Sequence, residues 1–369
     1  MLSKEFLVAL NLVAGIGGAT VRRLISYFGS LEHIKELPPE KLTQLSGIGP
    51  KIATLVKNAL NCTDEARREL ERCDKMGVQV ITYSDPDFPT RISQIQDCPL
   101  VLYYKGTADL NAEKILGIVG TRKATSYGRN VAREFVEDLR GHSPLIVSGL
   151  AYGIDITAHQ AALDSGLDTI GVMGNGINVM YPKNHLPVAK RMVEQGGILT
   201  ENPLDTQPDP RRFPARNRLI AGLSDAVIVT EAGEKGGALI TANLANDYDR
   251  EVFAVPGKID MPYSIGCHKL IRTQRAHLMT SVADLEYIMN WNAPDKQIKI
   301  KFEQRPDLSD TEKGLLQTLQ RKGGQTHLDN LSWASGVPVH IVSSVLLQLE
   351  LKGLVKMLPG HAVSLKSCF

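Results

Sequence analysis

The residues best suited to chemistry lie in short glycine-containing segments that also carry an arginine or a lysine. The first of these segments reads IVGTR, at 118–122. A glycine turn between a strand and a helix presents backbone N–H groups and the positive end of a helix dipole to an anion. The guanidinium of Arg122 adds two parallel donors that match a phosphate. We therefore expect Gly120, Thr121 and Arg122 to bind an anion, although an ordinary turn with a surface arginine has the same sequence.

A second glycine segment, SGLAYGID, follows another apolar run. Its first residues, Ser148 and Gly149, come directly after a predicted strand, as the IVGTR turn does. We expect both to line the same crevice as Arg122. Asp155, at the end of the segment, is better placed to cap the next helix than to bind a ligand.

Two further loops contain residue types that suit the same ligand. In YPKN, Lys183 and the neighbouring Asn184 are candidate phosphate contacts, and the ring of Tyr181 can stack on a base. In EAGEKGGAL, Gly236 and Gly237 precede a helix and present a second set of backbone N–H groups. Each of these residues is also common in ordinary loops. The prediction rests on their combination, which is a two-sided phosphate cradle at one edge of a sheet.

The sequence RRFPARNR is the densest basic run in the chain, and it contains no acidic residue. The net charge of the whole protein is only +2, so binding of an anionic polymer must depend on a local patch of this kind. Arginines that converge on one groove bind nucleic acid in a salt-dependent manner, and we expect Arg216 and Arg218 to contribute. A solvated helix start and buried structural pairs are the alternatives for this run.

Several classes of enzyme lack support in the sequence. It contains no GxxxxGK[ST] phosphate loop, no GxSxG nucleophile elbow and no HExxH zinc motif. The IVGTR turn does not have the GxGxxG spacing of a dinucleotide site, and the histidines and cysteines show no metal-ligand spacing. We therefore expect no cofactor, no metal and no catalysis.

Cysteine usage and hydropathy indicate the cellular compartment. The five cysteines are odd in number and contain no CxxC pair, which argues against a disulfide framework and fits a reducing cytosol. The sequence has no apolar run of about 18 residues, the length that would span a membrane. We predict a cytoplasmic protein without a membrane partner.

The central part of the chain, 76–290, alternates short apolar runs with helical stretches, which is typical of a parallel-dominated sheet wrapped by helices. The carboxyl ends of parallel strands meet at one edge of a sheet, and ligands bind there. Because the glycine segments follow the apolar runs, we expect them to meet at that edge. The strands are expected at Ile115–Val119, Leu145–Ser148, Thr169–Met173, Gly197–Glu201, Ala226–Thr230 and Val252–Val255.

Smaller domains are predicted on both sides of the central one. Residues 1–75 have helical periodicity with two Gly-Ile-Gly turns, as in helix-hairpin-helix modules. Residues 291–307 are polar and proline-bounded, so we assign them to a linker. In 308–369 a capping box at 309–312 begins the first of three helices, and a hairpin follows them, which predicts a winged helix. Its third helix is barely basic, which favours protein contact or regulation over reading of a DNA groove.

The order of these segments resembles a known protein family. GTRKATSYG, SGLAYGID, YPKNHL, FPARNRLIAGLS and VPG occur in succession and look like the signature blocks of the DNA-processing protein A (DprA/Smf) family. The resemblance implies an extended Rossmann-like core with a helix-hairpin-helix (SAM-like) domain before it and a winged helix after it. It also implies a homodimer that binds single-stranded DNA, protects incoming DNA and loads RecA recombinase onto it in natural transformation.

The resemblance assigns roles to individual residues. The arginine of the family's G[ST]R motif and the lysine after its YP motif belong to the DNA pocket, and in this sequence they are Arg122 and Lys183. The arginines of the family's FPxRNR block correspond to Arg216 and Arg218.

Two blocks depart from the family pattern. Gly236-Gly237 stands where the family usually has Ser-Gly, so a hydroxyl is missing from that loop. In GCHKLIRTQRA, His268 replaces an asparagine and Arg275 replaces a glycine. This block is expected near the dimer and partner surface, and we predict Leu270 and Ile271 in or near the dimer interface.

Two other functions stay open from the sequence. Nucleoside-monophosphate phosphoribohydrolases have a similar fold with a PGGxGTxxE loop, which EAGEKGGAL resembles in part. In such a nucleotide-processing enzyme, Glu231 or Glu201 would be the acid, and free base would be released from a mononucleotide. A structural adaptor that binds only protein is the other alternative, and it would retain no DNA at low salt.

Overall fold

Buried strands rich in valine, isoleucine and leucine form the centre of the larger of two units in the computed structural model. The structure describes residues 4–61, 63–291, 308–322, 324–352, 354–358 and 362–365. The chain divides into a larger unit, Met1–Pro294, and a smaller unit, Asp295–Phe369. The smaller unit has a hydrophobic core of its own.

Helices make up the N-terminal part of the larger unit, as the sequence predicts. Glycine and proline occur at the turns between them, because these residues bend or interrupt helical backbone. Leu7, Leu10 and Leu24 are fully buried on the apolar faces. The helices are α1 (Lys4–Leu12), α2 (Gly18–Phe28), α3 (Leu31–Glu36), α4 (Pro39–Leu42), α5 (Pro50–Asn61) and α6 (Thr63–Lys75).

These helices pack directly against the rest of the larger unit. A Cβ atom on Gly18 would lie 2.0 Å from the Cys98 carbonyl oxygen, and Arg22 donates to that same oxygen at 2.7 Å. The carboxylate of Glu69, on α6, accepts the backbone N–H of Leu204 at 2.7 Å. The first Gly-Ile-Gly turn thus leads into a contact within the chain. The domain boundary expected after residue 75 stays a prediction.

The strands of the larger unit form one mixed sheet. They are β1 (Gln79–Thr82), β2 (Val101–Gly106), β3 (Ile115–Val119), β4 (Leu145–Ser148), β5 (Thr169–Val172), β6 (Gly196–Thr200), β7 (Ala226–Val229), β8 (Glu251–Ala254) and β9 (His277–Leu278). Their order in space is β1-β2-β6-β5-β4-β3-β7-β8-β9. From β3 onward the strands are parallel to one another, whereas β1 and β2 are antiparallel to their neighbours. The predicted parallel-dominated sheet is confirmed.

Helices cover both faces of the sheet. Ile146 packs on one face with two of these helices, α8 and α9, whereas its neighbour Val147 packs on the other face with α11 and α12. Successive residues of a strand point to opposite faces, so an unbroken apolar run suits a strand that is covered on both sides. The helices are α7 (Thr90–Ser93), α8 (Ser126–Asp138), α9 (Ile154–Asp164), α10 (Leu186–Glu194), α11 (Arg212–Leu223), α12 (Gly237–Asp247), α13 (Ile265–Arg272) and α14 (Val282–Met289).

The strand order reverses at β3. From β3 the chain moves outward through β4, β5 and β6, and then returns along α11 to β7, which pairs with the other side of β3. The helices that follow β3 and β7 lie on opposite faces of the sheet. The loops that lead into them therefore diverge and leave a crevice at the carboxyl ends of these strands, where ligands bind in such sheets.

The smaller unit packs helices against an antiparallel sheet. Its elements are α15 (Asp310–Arg321), β10 (Gln325–His327), α16 (Leu328–Ser335), α17 (Val339–Leu351), β11 (Val355–Leu358) and β12 (Ala362–Leu365), with the strand order β10-β12-β11. Leu315, Leu346 and Val363 are buried in one core. The predicted winged helix and its capping box are confirmed. The predicted turn at 359–360, and the predicted linker apart from Trp291, lie outside the described residues.

The capping residue Glu312 links the local sequence to the stability of the smaller unit. Its side chain is buried, and its carboxylate accepts the Lys352 ammonium at 2.6 Å and the Ser309 backbone N–H at 2.8 Å. The bond from Lys352, followed by that from Ser309, lowers the pKa of Glu312. Because the pKa is lower in the folded state, this stabilisation is complete above the unfolded-state pKa, about 4.3, and is lost as the pH falls.

We predict that Glu312→Gln destabilises the smaller unit by about 1–3 kcal/mol at pH 7, measured by calorimetric unfolding of the full chain. The difference from the wild type should shrink as the pH falls below about 4.3 and through the lowered pKa of folded Glu312, because the wild-type carboxyl then becomes neutral like the amide. Asp310→Asn is the control, since the Asp310 carboxylate is exposed and its change should alter little. Equal stability of Glu312→Gln and the wild type at pH 7 would contradict this assignment.

Candidate functional site

A crevice with a volume of about 890 Å³ opens at the carboxyl ends of β3 and β7. Small-molecule sites are typically about 300–1,000 Å³, so this crevice is large enough to enclose part of a polymer chain. The predicted residues that line it are Gly120, Thr121, Arg122, Arg216, Gly236 and Gly237. Its walls also include Lys123, Tyr181, Phe213, Asn217, Glu234, Lys235, Ile240, Asn243 and Lys269.

Several backbone N–H groups of the loop after β3 are already bonded within the protein, so side chains are its main groups for binding a ligand. The N–H of Thr121 donates to the Glu231 carbonyl at 2.8 Å, and the N–H of Lys123 donates to the Thr121 hydroxyl at 3.2 Å. The N–H of Thr125 donates to the Glu231 carboxylate at 2.9 Å. The amide cradle that the sequence suggests for this loop is therefore used in part within the protein.

Arg122 belongs to an aromatic platform in the crevice. Its side chain is exposed, and its guanidinium carbon lies 5.6 Å from the centre of the Phe213 ring. Phe213 in turn stacks on Tyr181, with ring centres 5.6 Å apart and an interplanar angle of 28°. The three side chains together offer a cation and aromatic faces, which suit a phosphate and a base. The sequence analysis predicted stacking for Tyr181 but missed Phe213, which lies in the FPARNR block.

Arg216 has a structural role at the base of the crevice, and the DNA contact predicted for it stays a prediction. It is only 4% exposed, and its guanidinium donates to the Gly149 carbonyl at 2.6 Å and to the Val172 carbonyl. The Asp155 carboxylate, from the first turn of α9, accepts the Gly149 N–H at 3.1 Å. Burial lowers the pKa of Arg216 and raises that of Asp155, and the attraction between their opposite charges opposes both shifts. The two groups together fix the loop after β4.

A side chain cannot fit at Gly149. A Cβ atom there would lie 2.5 Å from the Arg216 guanidinium and 2.6 Å from the Asp155 carboxylate. Ser148 is fully buried, and its hydroxyl donates to the Ile118 carbonyl at 2.6 Å. Ser148 and Gly149 therefore support the crevice from beneath and are not part of its lining, in contrast to the sequence expectation.

Lys183 and Asn184 lie just beyond the crevice lining. Both are exposed on a short 3-10 helix, Lys183–His185, and they follow Tyr181, which is a lining residue. His185, at the end of the same helix, is buried and bonds to the Leu150 carbonyl at 2.8 Å, which anchors this segment. A phosphate contact from Lys183 stays a prediction.

The carboxylates that an enzyme would use are held by other protein groups. Glu201 pairs with Arg218, whose guanidinium also lies 3.6 Å from Asp97. Arg218 is thus a structural partner of two acids and does not line the crevice, and the DNA contact predicted for it stays a prediction. Glu231 is buried and accepts both the N–H and the hydroxyl of Thr125, at 2.9 and 2.5 Å.

The loop after β7 contributes open backbone donors. No side chain caps the N-terminus of α12, which begins at Gly237, and its first residues line the crevice. The first N–H groups of a helix have no partner within the helix, so they can receive an anion. The Asn217 amide donates to the Gly237 carbonyl at 3.2 Å and ties this loop to α11. The sequence analysis found Gly236 and Gly237 and missed the bond from Asn217.

The residues predicted at the dimer interface are wholly or partly buried in the hydrophobic core of the protein. Leu270 is only 4% exposed and belongs to the hydrophobic core, and Ile271 packs partly buried against the same core. A charge at Leu270 would therefore disturb folding as well as any assembly. The interface itself stays a prediction, and Ile271 has the more accessible side chain of the two.

The described residues contain no group of three or more histidine, cysteine, aspartate or glutamate side chains that could hold a metal ion. No single helix in the same ranges is long and apolar enough to cross a membrane, although the bent pair α16 and α17 meets the length and composition requirements together.

We predict that Arg216→Met destabilises the larger unit by about 3–5 kcal/mol, because it leaves the Asp155 carboxylate buried without its counter-charge. Denaturant unfolding followed by circular dichroism measures this loss. Adding Asp155→Asn to the variant should recover part of it. Arg211→Ala is the control from the same basic run, since the Arg211 side chain is 94% exposed. If Arg216→Met and Arg211→Ala unfold alike, the structural role is refuted.

Comparison with family models divides the chain into three matching regions. Residues 79–290, more than half of the chain, match the model for DNA recombination-mediator protein A. Residues 303–361 match the DprA winged helix domain, and residues 7–61 match a SAM-like helix-hairpin-helix tandem.

Individual relatives support the same relationship. Protein Smf from Synechocystis is 33% identical over 97% of both chains, and DNA processing protein DprA from Bacillus subtilis is 40% identical over 59% of this chain and 73% of its own. The X-ray structure of DprA from Streptococcus pneumoniae aligns with a TM-score of 0.67 at 32% identity, over 78% of this chain and 98% of that one. A structure of Helicobacter pylori DNA processing protein A, solved to explain its single-stranded DNA binding mode, aligns with a TM-score of 0.52 at 30% identity, over 57% and 96%. The chain therefore belongs to the DNA-processing protein A (DprA/Smf) family.

Proposed function

We propose that the protein binds single-stranded DNA in the crevice without reading its base sequence. In this proposal it acts in the cytoplasm as a homodimer, protects incoming DNA and loads RecA recombinase onto it during natural transformation. The single-stranded DNA binding of the Helicobacter pylori relative and the match to a recombination-mediator family support this role.

The observation that carries the proposal is the platform of Arg122, Phe213 and Tyr181. Two stacked rings and a guanidinium lie in one crevice, and Phe213 contacts both of the other side chains. Aromatic faces bind the faces of unpaired bases, whereas paired bases in a duplex are covered by their own neighbours. The platform therefore favours a single strand over a duplex.

The charge of Arg122 is available to the ligand. Within the described residues its guanidinium forms no ion pair and no hydrogen bond, and it lies over the ring of Phe213. A guanidinium in this state can make two parallel bonds to a phosphate. Because the net charge of the protein is only +2, such local cations must provide most of the attraction to DNA.

Binding without base specificity is expected because polar groups that could read base edges are bonded within the protein. Two asparagines, Asn217 and Asn243, line the crevice, and the first donates its amide N–H to the Gly237 carbonyl, where it is not available to a base edge. Phosphates and ring faces remain as the principal targets, and neither carries base identity. The bonds that hold Glu201 and Glu231 likewise favour a binding protein over a nucleotide-processing enzyme.

We predict that Arg122→Ala binds fluorescent oligo-dT at least tenfold more weakly than the wild type, a cost of roughly 1.4 kcal/mol or more. The variant loses a phosphate contact, so the slope of log K against log salt should also become shallower by about 0.7. Fluorescence anisotropy at several potassium chloride concentrations measures both quantities.

Arg140→Ala is the matched control for this experiment. Arg140 is exposed and precedes β4, so it lies at the edge of the sheet opposite to the crevice, and its removal changes the net charge by the same amount. It should leave affinity and salt slope near the wild-type values. The crevice is not the DNA site if both variants bind like the wild type. A duplex that binds as tightly as the single strand would argue against the platform.

A further inference from the structure

The crevice has a second wall that is built by the loop after β7 and by α13. The N–H of Gly266, in the first turn of α13, donates to the Ala232 carbonyl at 2.9 Å. A Cβ atom on Gly266 would lie only 2.4 Å from the Gly233 carbonyl oxygen, so the helix and the loop are in close backbone contact. This packing fixes the direction in which the next turn of α13 faces.

Lys269 is the residue of α13 that reaches the crevice. Its neighbours Cys267 and Leu270 are buried in the core, at 0% and 4% exposure, whereas Lys269 is exposed and is a lining residue. Lys235, in the loop after β7, is also exposed and also lines the crevice. In the part of the chain that the structure describes, the side-chain ammonium groups of the two lysines form no hydrogen bond and no ion pair.

We propose that Lys235 and Lys269 bind phosphates of the same single strand, so that the strand is held from both walls of the crevice. Arg122 and the aromatic platform hold it on the β3 side, and the two lysines hold it on the β7 side. This inference rests on the proposed function and adds to it a second, separate set of phosphate contacts.

The charges in the crevice support a polyanion as the ligand. Arg122, Lys123, Lys235 and Lys269 line it together, and Glu234 is the exposed acidic residue among the lining residues. Cations that are held close together without partners repel one another, and an anion that enters relieves this repulsion. A cleft lined by one sign of charge also concentrates ions of the opposite sign. Successive phosphates of one strand can engage both walls at once.

The test compares Lys235→Ala, Lys269→Ala and their double variant with the wild type. Fluorescence anisotropy with labelled oligo-dT is measured over a series of salt concentrations. We expect each single variant to bind about three- to tenfold more weakly and the double variant to bind more weakly than either. The salt slope should become shallower by about 0.7 for each lysine removed.

Arg272→Ala is the matched control, because Arg272 is an exposed cation on the same helix that does not line the crevice. It should stay within twofold of the wild type with an unchanged salt slope. The inference is overturned if Lys235→Ala and Lys269→Ala bind like Arg272→Ala, since net charge alone would then account for any effect. Light scattering on each variant shows whether its oligomeric state has changed. If Lys269→Ala changes the oligomeric state, the test rests on Lys235→Ala, because Lys235 lies outside α13.

Failure of this inference can be told from failure of the proposed function. If Arg122→Ala weakens binding but the lysine variants do not, the strand is held on the β3 side alone. If Arg122→Ala and the lysine variants all bind like the wild type, DNA does not bind in the crevice.

Discussion

The architecture of the site depends on the buried guanidinium of Arg216. It donates to backbone carbonyls at the ends of β4 and β5, and thereby joins two neighbouring strands to α11. The same helix carries Phe213, so the contact that closes the base of the crevice also places the aromatic platform. Asp155, across Gly149, supplies the opposite charge that a buried cation requires. A rigid floor of this kind lowers the cost of ordering the groups that bind the ligand.

The basic run on α11 shows why local charge density is an incomplete guide to a binding surface. Successive residues of a helix turn by about 100°, so neighbouring arginines face different surroundings. Arg211 is exposed, Arg216 is buried and Arg218 pairs with carboxylates. The exposed cations of the crevice come from separate loops and helices, among them Arg122 and Lys269. Residues that are distant in sequence thus make up the positive surface.

The sequence predicts those features of the fold that depend on short-range patterns. Apolar runs placed the central strands within a single residue of their observed ends, and the capping box marked the start of α15 correctly. Such short-range patterns do not predict contacts between residues that are far apart in the sequence. The Thr121 amide is occupied by Glu231, and the Gly149 carbonyl by Arg216, and neither bond leaves a local signal. Similarly, Leu270 was expected at an interface, but its side chain is in the core of the chain.

Photo-crosslinking of a 4-thiothymidine-substituted single strand to the full-length protein, followed by peptide mass spectrometry, tests the central claim most directly. The platform predicts crosslinks to the peptides that contain Phe213 and Tyr181, because a base must lie against these rings to be bound. Excess unlabelled single strand should abolish these crosslinks, and excess duplex should not. Crosslinks confined to the N-terminal helices or to the winged helix would contradict the account and would place the DNA site outside the crevice.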